Sequence, residues 1–263
     1  DVVIMCMGIS PRLEGEELEL NVNGFSGGDR TSLDLPETQQ NLIKKIARLG
    51  KPIVLVLLNG SALSINWESE NIPAIVETWY GGQAAGDALA DVLFGDYNPS
   101  GKLPVTFYKS VHQLPDFRNY DMKGRTYRYF DGDVLYPFGY GLSYTTFKYS
   151  NIRLDKEKIN SNGSAKLYVD IENTGRMSGA EVVQLYVKGK GLKENEAIKT
   201  LKGFEKIFLK PGEIRTVAFE ITPEMLSKYV EGKGFIVEKG NHTLTVGSSS
   251  KNADLLDINL LVE

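Results

Sequence analysis

The chain has a single cysteine, two histidines, two tryptophans and no surplus of positive charge in its 263 residues. Each shortage removes a class of function. One thiol, Cys6, excludes an intrachain disulfide, and its place inside an apolar run reads as a buried, inert side chain. His112 and His242 stand far apart with no Cys or His at ligand spacing, so no metal centre is expected. Thirty Lys and Arg against 34 Asp and Glu give a formal net charge of -4, with an isoelectric point near 5.5. That balance offers no electrostatic footprint for nucleic acid or an anionic membrane. The longest apolar run, Ile53 to Leu58, is far short of the roughly 20 residues a spanning helix needs. Gly81-Gly-Gln-Ala-Ala-Gly86 lacks both dinucleotide-loop spacing and a phosphate-loop lysine, so no cofactor is expected.

What is present is the makeup of an ordinary globular chain, with 41% hydrophobic and 24% charged residues, and a length that suggests two domains. Asp1 to Gly8 reads as a continuous apolar strand of the kind covered on both faces in a parallel sheet. Such a strand at the first residue also points to an upstream segment missing from this sequence. Residues 10–36 show little periodicity and read as a long functional loop. Leu42, Ile43, Ile46, Ala47 and Leu49 fall at helical spacing with Gly50 as the stop. Ile53 to Leu58 is a second strand and Pro73 to Tyr80 a third. Ala84, Ala85, Ala88, Leu89, Val92 and Leu93 form one face of a helix closed by Gly95. Alternating strands and helices predict a parallel α/β sheet, which places the segments after Gly8, Asn59 and Tyr80 together at its carboxyl edge.

The second half has no long helical pattern. Ala165, Leu167, Val169 and Ile171 alternate, as do Val183, Leu185 and Val187, then Val217, Phe219 and Ile221, then Leu244 and Val246. Turn signals such as Asn173-Thr-Gly175 and Lys210-Pro-Gly212 separate them, and the pattern predicts a β-sandwich of seven strands or so. The expected organisation is therefore 1–110 α/β, 111–148 an irregular connector, and 149–263 a fibronectin type III-like sandwich.

The segment from Ala74-Ile-Val-Glu-Thr-Trp-Tyr-Gly-Gly-Gln to Gly101-Lys-Leu-Pro-Val-Thr-Phe107 resembles the second-domain signature of glycoside hydrolase family 3, the β-glucosidase and β-xylosidase type. Tyr136-Pro-Phe-Gly-Tyr-Gly-Leu-Ser-Tyr-Thr-Thr-Phe147 is similar to that family's passage into its fibronectin-like domain, and Leu201-Lys-Gly-Phe-Glu-Lys and Leu209-Lys-Pro-Gly-Glu resemble strands within it. The resemblance implies an enzyme built of a barrel, an α/β sandwich and a fibronectin-like domain. This chain matches the later part of the second and all of the third. The family's nucleophile is an aspartate in a Ser-Asp-aromatic context of the barrel, and its substrate-holding Lys-His pair comes from the barrel too. Neither motif occurs here, so the chain alone is expected to be inactive.

Retaining glycoside hydrolysis needs two carboxyl groups about 5 to 5.5 Å apart. The resemblance implies that this chain supplies one, a glutamate on a loop in a Glu-x-Glu-Gly or Gly-Glu-Gly context. The matching segment is Arg12-Leu-Glu-Gly-Glu-Glu17, and its position points to Glu16 as the general acid/base, with Glu14 and Glu17 as register alternatives. Glu17 stands where the family often has Gly, and the following Asp29-Arg30 comes only after Leu18 to Gly28. That pair is expected to form a local ion pair holding the loop. Asn59 and Ser61 at a strand end, and Trp67 as a stacking platform, are the candidate sugar-binding residues; Trp79-Tyr80 is expected to pack beneath the helix that begins near Gly82. The implied partners are an oligosaccharide or other β-glycoside, the barrel, and a second copy in a homo-oligomer, and the implied location is periplasmic or secreted. The alternative is a non-catalytic carbohydrate-binding or interaction module, which exposed Tyr or Trp clustered on one sheet face would favour.

Overall fold

The computed structural model describes residues 1–15, 17–189 and 196–263. The chain divides into two compact units. The first holds Asp1–Asp96, Thr106–Tyr120 and Gly132–Tyr136, and the second holds Tyr97–Val105, Asp121–Asp131 and Pro137–Glu263. The stretch 111–148 contributes to both.

In the first unit, β1 (Val3–Gly8) is followed by a small hairpin of β2 (Phe25–Ser26) and β3 (Asp29–Arg30), then α1 (Glu37–Ala47), β4 (Ile53–Leu58), α2 (Asn66–Asn71), β5 (Ala74–Glu77) and α3 (Ala85–Phe94). The sheet order is β1-β4-β5, all parallel, with Val3 opposite Ile53 and Val54 opposite Ala74. Because parallel strands need a crossover, every carboxyl end lies at the same edge. β4 is central, and its Ile53, Leu55, Val56 and Leu57 are all buried with Ile43 of α1, Leu63 and Ile65.

β1 departs from expectation. Met5 is buried, yet Ile4 and Cys6 are exposed, so the strand is covered on one face only and the thiol is not a core side chain. The period of two of an edge strand sets Met5 inward and its neighbours outward. In α1, Gly50 adopts φ 69° and its N–H bonds the Ala47 carbonyl, the stop read from the sequence. Gly95 likewise ends α3 in the left-handed region at φ 85°. None of the side chains of α3 is fully buried, and Phe94 is 80% exposed.

The second unit contains a short helical turn, α4 (Thr126–Tyr129), and then β6 (Phe147–Leu154), β7 (Lys158–Ile159), β8 (Ala165–Asn173), β9 (Gly179–Lys188), β10 (Lys199–Leu209), β11 (Ile214–Ile221), the turn α5 (Pro223–Leu226), β12 (Lys228–Val230), β13 (Gly234–Ile236), β14 (Gly240–Gly247) and β15 (Leu255–Val262). A five-stranded sheet, β10-β9-β14-β15-β7, and a three-stranded one, β11-β8-β6, make the sandwich. Its core is the set of alternating residues: Leu167, Val169, Ile171, Val183, Leu185, Val217, Ile221, Leu244 and Val246 are each at most 1% exposed. Asn173, fully buried, closes a turn by donating to the carbonyls of Met177 and Leu209 and accepting from Thr145 and the Gly175 N–H. A buried amide is tolerated because its polar atoms are paired.

A second buried polar group ties Lys102 to the sandwich. Its Nζ lies 3.2 Å from Glu181 Oε1 and 3.3 Å from Oε2 and donates to the Gly141 carbonyl, while Tyr149 donates to Oε1 of the same carboxylate. Burial pushes the Glu181 carboxyl up and the Lys102 charge pulls it back. Removing one partner of such a pair leaves the other charge buried. Glu181→Ala is therefore expected to cost about 3 to 5 kcal/mol in denaturant unfolding. Lys158→Ala, which breaks the exposed pair with Glu263, should stay within about 0.5 kcal/mol. Equal effects would contradict this reading of the buried pair.

Candidate active-site edge

The carboxyl edge of the parallel sheet gathers the three loops that the strand order predicts. Gly8 ends β1 with φ 142°, and a Cβ there would sit 1.9 Å from the Leu58 carbonyl oxygen. Only glycine lets the two strand ends close up, and the Ile9 N–H then bonds that same carbonyl at 2.9 Å. Gln39 of α1 clamps Gly8 from the other side, accepting from its N–H and donating to its carbonyl.

From β4 comes Asn59, fully buried, whose Nδ2 donates to the Ser61 carbonyl at 2.9 Å and to Glu77 at 3.2 Å. From the first loop comes Glu14, which accepts from the Ser61 hydroxyl at 3.0 Å. Arg30 reaches in from β3 and donates to the Ser61 hydroxyl and the Ala62 carbonyl, both at 2.8 Å, and to Ser32 O. The expected Asp29-Arg30 ion pair is not what holds the loop. Arg30 points away along this set of acceptors because β3 alternates its side chains. The hairpin that carries it turns through Gly27 and Gly28, both at positive φ, the geometry a two-residue β-hairpin requires. A Cβ on Gly28 would stand 1.6 Å from the Gly15 carbonyl oxygen, so the acidic loop closes against bare backbone.

From β5 come Glu77, Trp79 and Tyr80. The Glu77 carboxylate accepts from the Trp79 N–H at 3.1 Å with one oxygen and from Asn59 with the other. Trp79 adopts φ 54° and meets Phe107 edge-on, with ring centroids 6.1 Å apart. Tyr80 is half exposed, lays its ring over Gly60 and donates its hydroxyl to the Ile9 carbonyl. Both residues therefore make contacts at this edge, Trp79 with Phe107 and Tyr80 with the first loop.

Of the sequence candidates, Asn59, Ser61 and Glu14 stand together here. Glu17 is exposed at φ 56°, a left-handed conformation uncommon outside glycine. Glu16 lies outside the described residues. Trp67, half-buried on α2, has the Lys44 ammonium of α1 5.6 Å from its ring centre, and none of the hydrogen bonds of the edge runs to it. Glu77, Arg30 and Tyr80 were not singled out as site residues. For Glu77 the signal was there: a lone carboxylate closing the apolar strand Ala74-Ile-Val.

The electrostatics of the edge follow from burial. The Glu77 carboxyl is raised to about 7, chiefly by desolvation, against the opposing pull of its bonds to Trp79 and Asn59. Burial lowers Arg30 from its usual range, while Glu14 and Asp34 favour its charge. Two of the buried polar atoms without a partner among the described residues belong to this edge, Arg30 Nη2, a donor, and Asn59 Oδ1, an acceptor.

Residues 1–144 match the family model described as "Glycosyl hydrolase family 3 C-terminal domain", and residues 181–250 match the fibronectin type III-like domain. The chain belongs to glycoside hydrolase family 3. The "Xylan 1,4-beta-xylosidase" of Xylanibacter ruminicola is 45% identical over 255 residues, which are 96% of this chain and 29% of that protein. A "Beta-xylosidase" of Formosa agariphila is 44% identical over 270 residues, 100% of this chain and 36% of the relative. Among solved structures, a β-glucosidase from Erythrobacter marinus superposes with a TM-score of 0.87 at 37% identity, covering all of this chain and 34% of that one. The chain thus spans about a third of the length of these family 3 proteins.

The raised Glu77 carboxyl carries a stability signature. Its native value near 7 lies above the 4.5 of an unfolded glutamate, so the native state holds the extra proton between those limits. Its contribution is full below about pH 4.5 and is lost as pH rises through 7, by roughly 2 to 3 kcal/mol. Denaturant midpoints of Glu77→Gln and the parent, compared across that window, should diverge by this amount. Parallel curves would contradict the burial of the charge.

Proposed function

We propose that this chain supplies the acid/base half of a retaining β-glycosidase that releases terminal non-reducing β-D-xylosyl or β-D-glucosyl residues. The observation that carries the reading is the kinship with proteins named β-xylosidase at 45% and 44% identity, combined with an acidic loop pinned at the strand-end edge through Glu14. Glu16, two residues on, is the proposed acid: it protonates the leaving oxygen, then as a base takes the proton of the incoming water. The other carboxyl, the nucleophile, belongs to the barrel of the complete enzyme. The sequence holds no Ser-Asp pair, so the 263-residue chain is proposed to be silent by itself. Asn59 Nδ2 and the Ser61 hydroxyl hold the loop, being engaged with Glu14, Glu77 and Arg30. The complete enzyme is proposed to act outside the cytoplasm, where polymer-derived β-glycosides are encountered.

One observation bears on the module reading. Tyr229 and Phe235, opposite one another on β12 and β13, are both exposed and pack edge to face with centroids 5.6 Å apart. Rings at 71° offer one face to a sugar where a flat platform would offer two.

The test is kinetic. The complete enzyme should hydrolyse aryl β-xylosides or β-glucosides, and the 263-residue chain should hydrolyse neither. Glu16→Ala in the complete enzyme should cost about 10²- to 10⁴-fold on substrates with poor leaving groups, much less on activated ones, with azide restoring turnover. Uniform loss on every substrate would exclude the acid/base role, and robust turnover by the short chain would exclude the two-part site.

A further inference from the structure

The geometry points to Glu77 as a positioning residue for the acidic loop, one whose single carboxylate, shared between Asn59 and the Trp79 backbone, holds the chain Glu77–Asn59–Ser61–Glu14 in place and releases it on protonation. This rests on the reading of the edge as the acid/base half of the site.

The chain is continuous. Glu77 accepts from Asn59 Nδ2 at 3.2 Å, the same Nδ2 donates to the Ser61 carbonyl at 2.9 Å, and the Ser61 hydroxyl donates to Glu14 at 3.0 Å. Arg30 bonds the Ser61 hydroxyl from the other side. Through these links the end of β5 fixes a residue 63 positions earlier, two residues before the proposed acid. No side chain of the loop itself performs this for Glu77, whose partners are a buried amide and a backbone N–H.

An ionised carboxylate accepts at both oxygens, and both are occupied by donors here. A proton takes one of the carboxylate's lone-pair sites and with it the negative charge that strengthens both bonds, so the Trp79 and Asn59 bonds weaken. Asn59 Oδ1, buried and without a partner among the described residues, is the acceptor that a protonated Glu77 needs. It is reached only by turning the Asn59 amide over, which carries Nδ2 away from the Ser61 carbonyl. Turning the amide is thus the route by which a proton on Glu77 loosens the link to Ser61. The groups bonded to Glu77 are Asn59 and the Trp79 backbone, and the Tyr80 hydroxyl feels its charge together with those of Glu14 and Arg30. Desolvation keeps the switch near pH 7, within the range where such enzymes can be assayed.

The experiment uses Glu77→Gln, Ser61→Ala and the double variant in the complete enzyme. Turnover is read on a β-disaccharide, which needs leaving-group protonation, and on a dinitrophenyl β-glycoside, which does not. A positioning role predicts a loss in kcat/KM of tenfold or more on the disaccharide and within threefold on the activated substrate. It predicts an ionisation near pH 7 in the parent's disaccharide profile that vanishes in Glu77→Gln. It also predicts that the double variant is no worse than the poorer single one. Equal losses on both substrates, unchanged kinetics or fully additive losses would each overturn it. Amide hydrogen exchange at fixed pH is a readout independent of turnover: both single variants should exchange faster over residues 9–30 with α1 unchanged. If the parent turns over no β-glycoside, the proposed activity falls, and exchange alone then decides the positioning role, with unaltered loop exchange refuting it.

Discussion

The parallel pairing of β1, β4 and β5 is the constraint on which the candidate site depends. Because the strands run the same way in register, Gly8, Leu58 and Glu77 end within one edge, and the chain must leave all three in loops that face one another. The close approach at Gly8, where a side chain would collide with the Leu58 carbonyl, sets how tightly those loops converge. Glu14, Asn59, Ser61, Arg30 and Glu77 come from four distant stretches of sequence, and only this pairing brings them within hydrogen-bond reach.

Convergence places charges where water is scarce, and the chain answers with shared hydrogen bonds more than with ion pairs. Ser61 serves Glu14 and Arg30 with one hydroxyl, and Asn59 serves Ser61 and Glu77 with one amide nitrogen. Such sharing leaves Arg30 Nη2 and Asn59 Oδ1 without partners among the described residues, which costs free energy. In the sandwich, Asn173 and the Lys102–Glu181 pair are buried with their partners satisfied, although Thr245 Oγ1 on β14 is buried without a partner among the described residues.

Much of this was legible in the sequence because it depends on periodicity and turn chemistry. The sandwich residues that alternate from Ala165 to Ile171 and from Val217 to Ile221 face inward as their period requires, and the strand–helix alternation implied a parallel sheet and its working edge. What failed depends on contacts that periodicity does not encode. Cys6 lies in an apolar run and is exposed, because burial of an edge strand depends on what covers it. Tyr80 and Arg30 were assigned to neighbours in sequence, whereas their partners, Ile9, Ser61 and Ala62, lie on other strands' loops. Glu77 is marked in the sequence only as a lone carboxylate closing an apolar strand; its bonds depend on Asn59 of another strand's loop and on the turn at Trp79 with φ 54°.

The central claim is that this edge presents the acid/base carboxyl of a two-carboxyl site. The most direct test is a crystal structure of the complete enzyme with a bound non-hydrolysed glycoside. The account predicts a carboxyl from the loop 14–17 about 5 to 5.5 Å from the barrel aspartate, on the side of the leaving oxygen. A loop carboxyl beyond about 9.5 Å, or an edge turned away from the sugar, would contradict it.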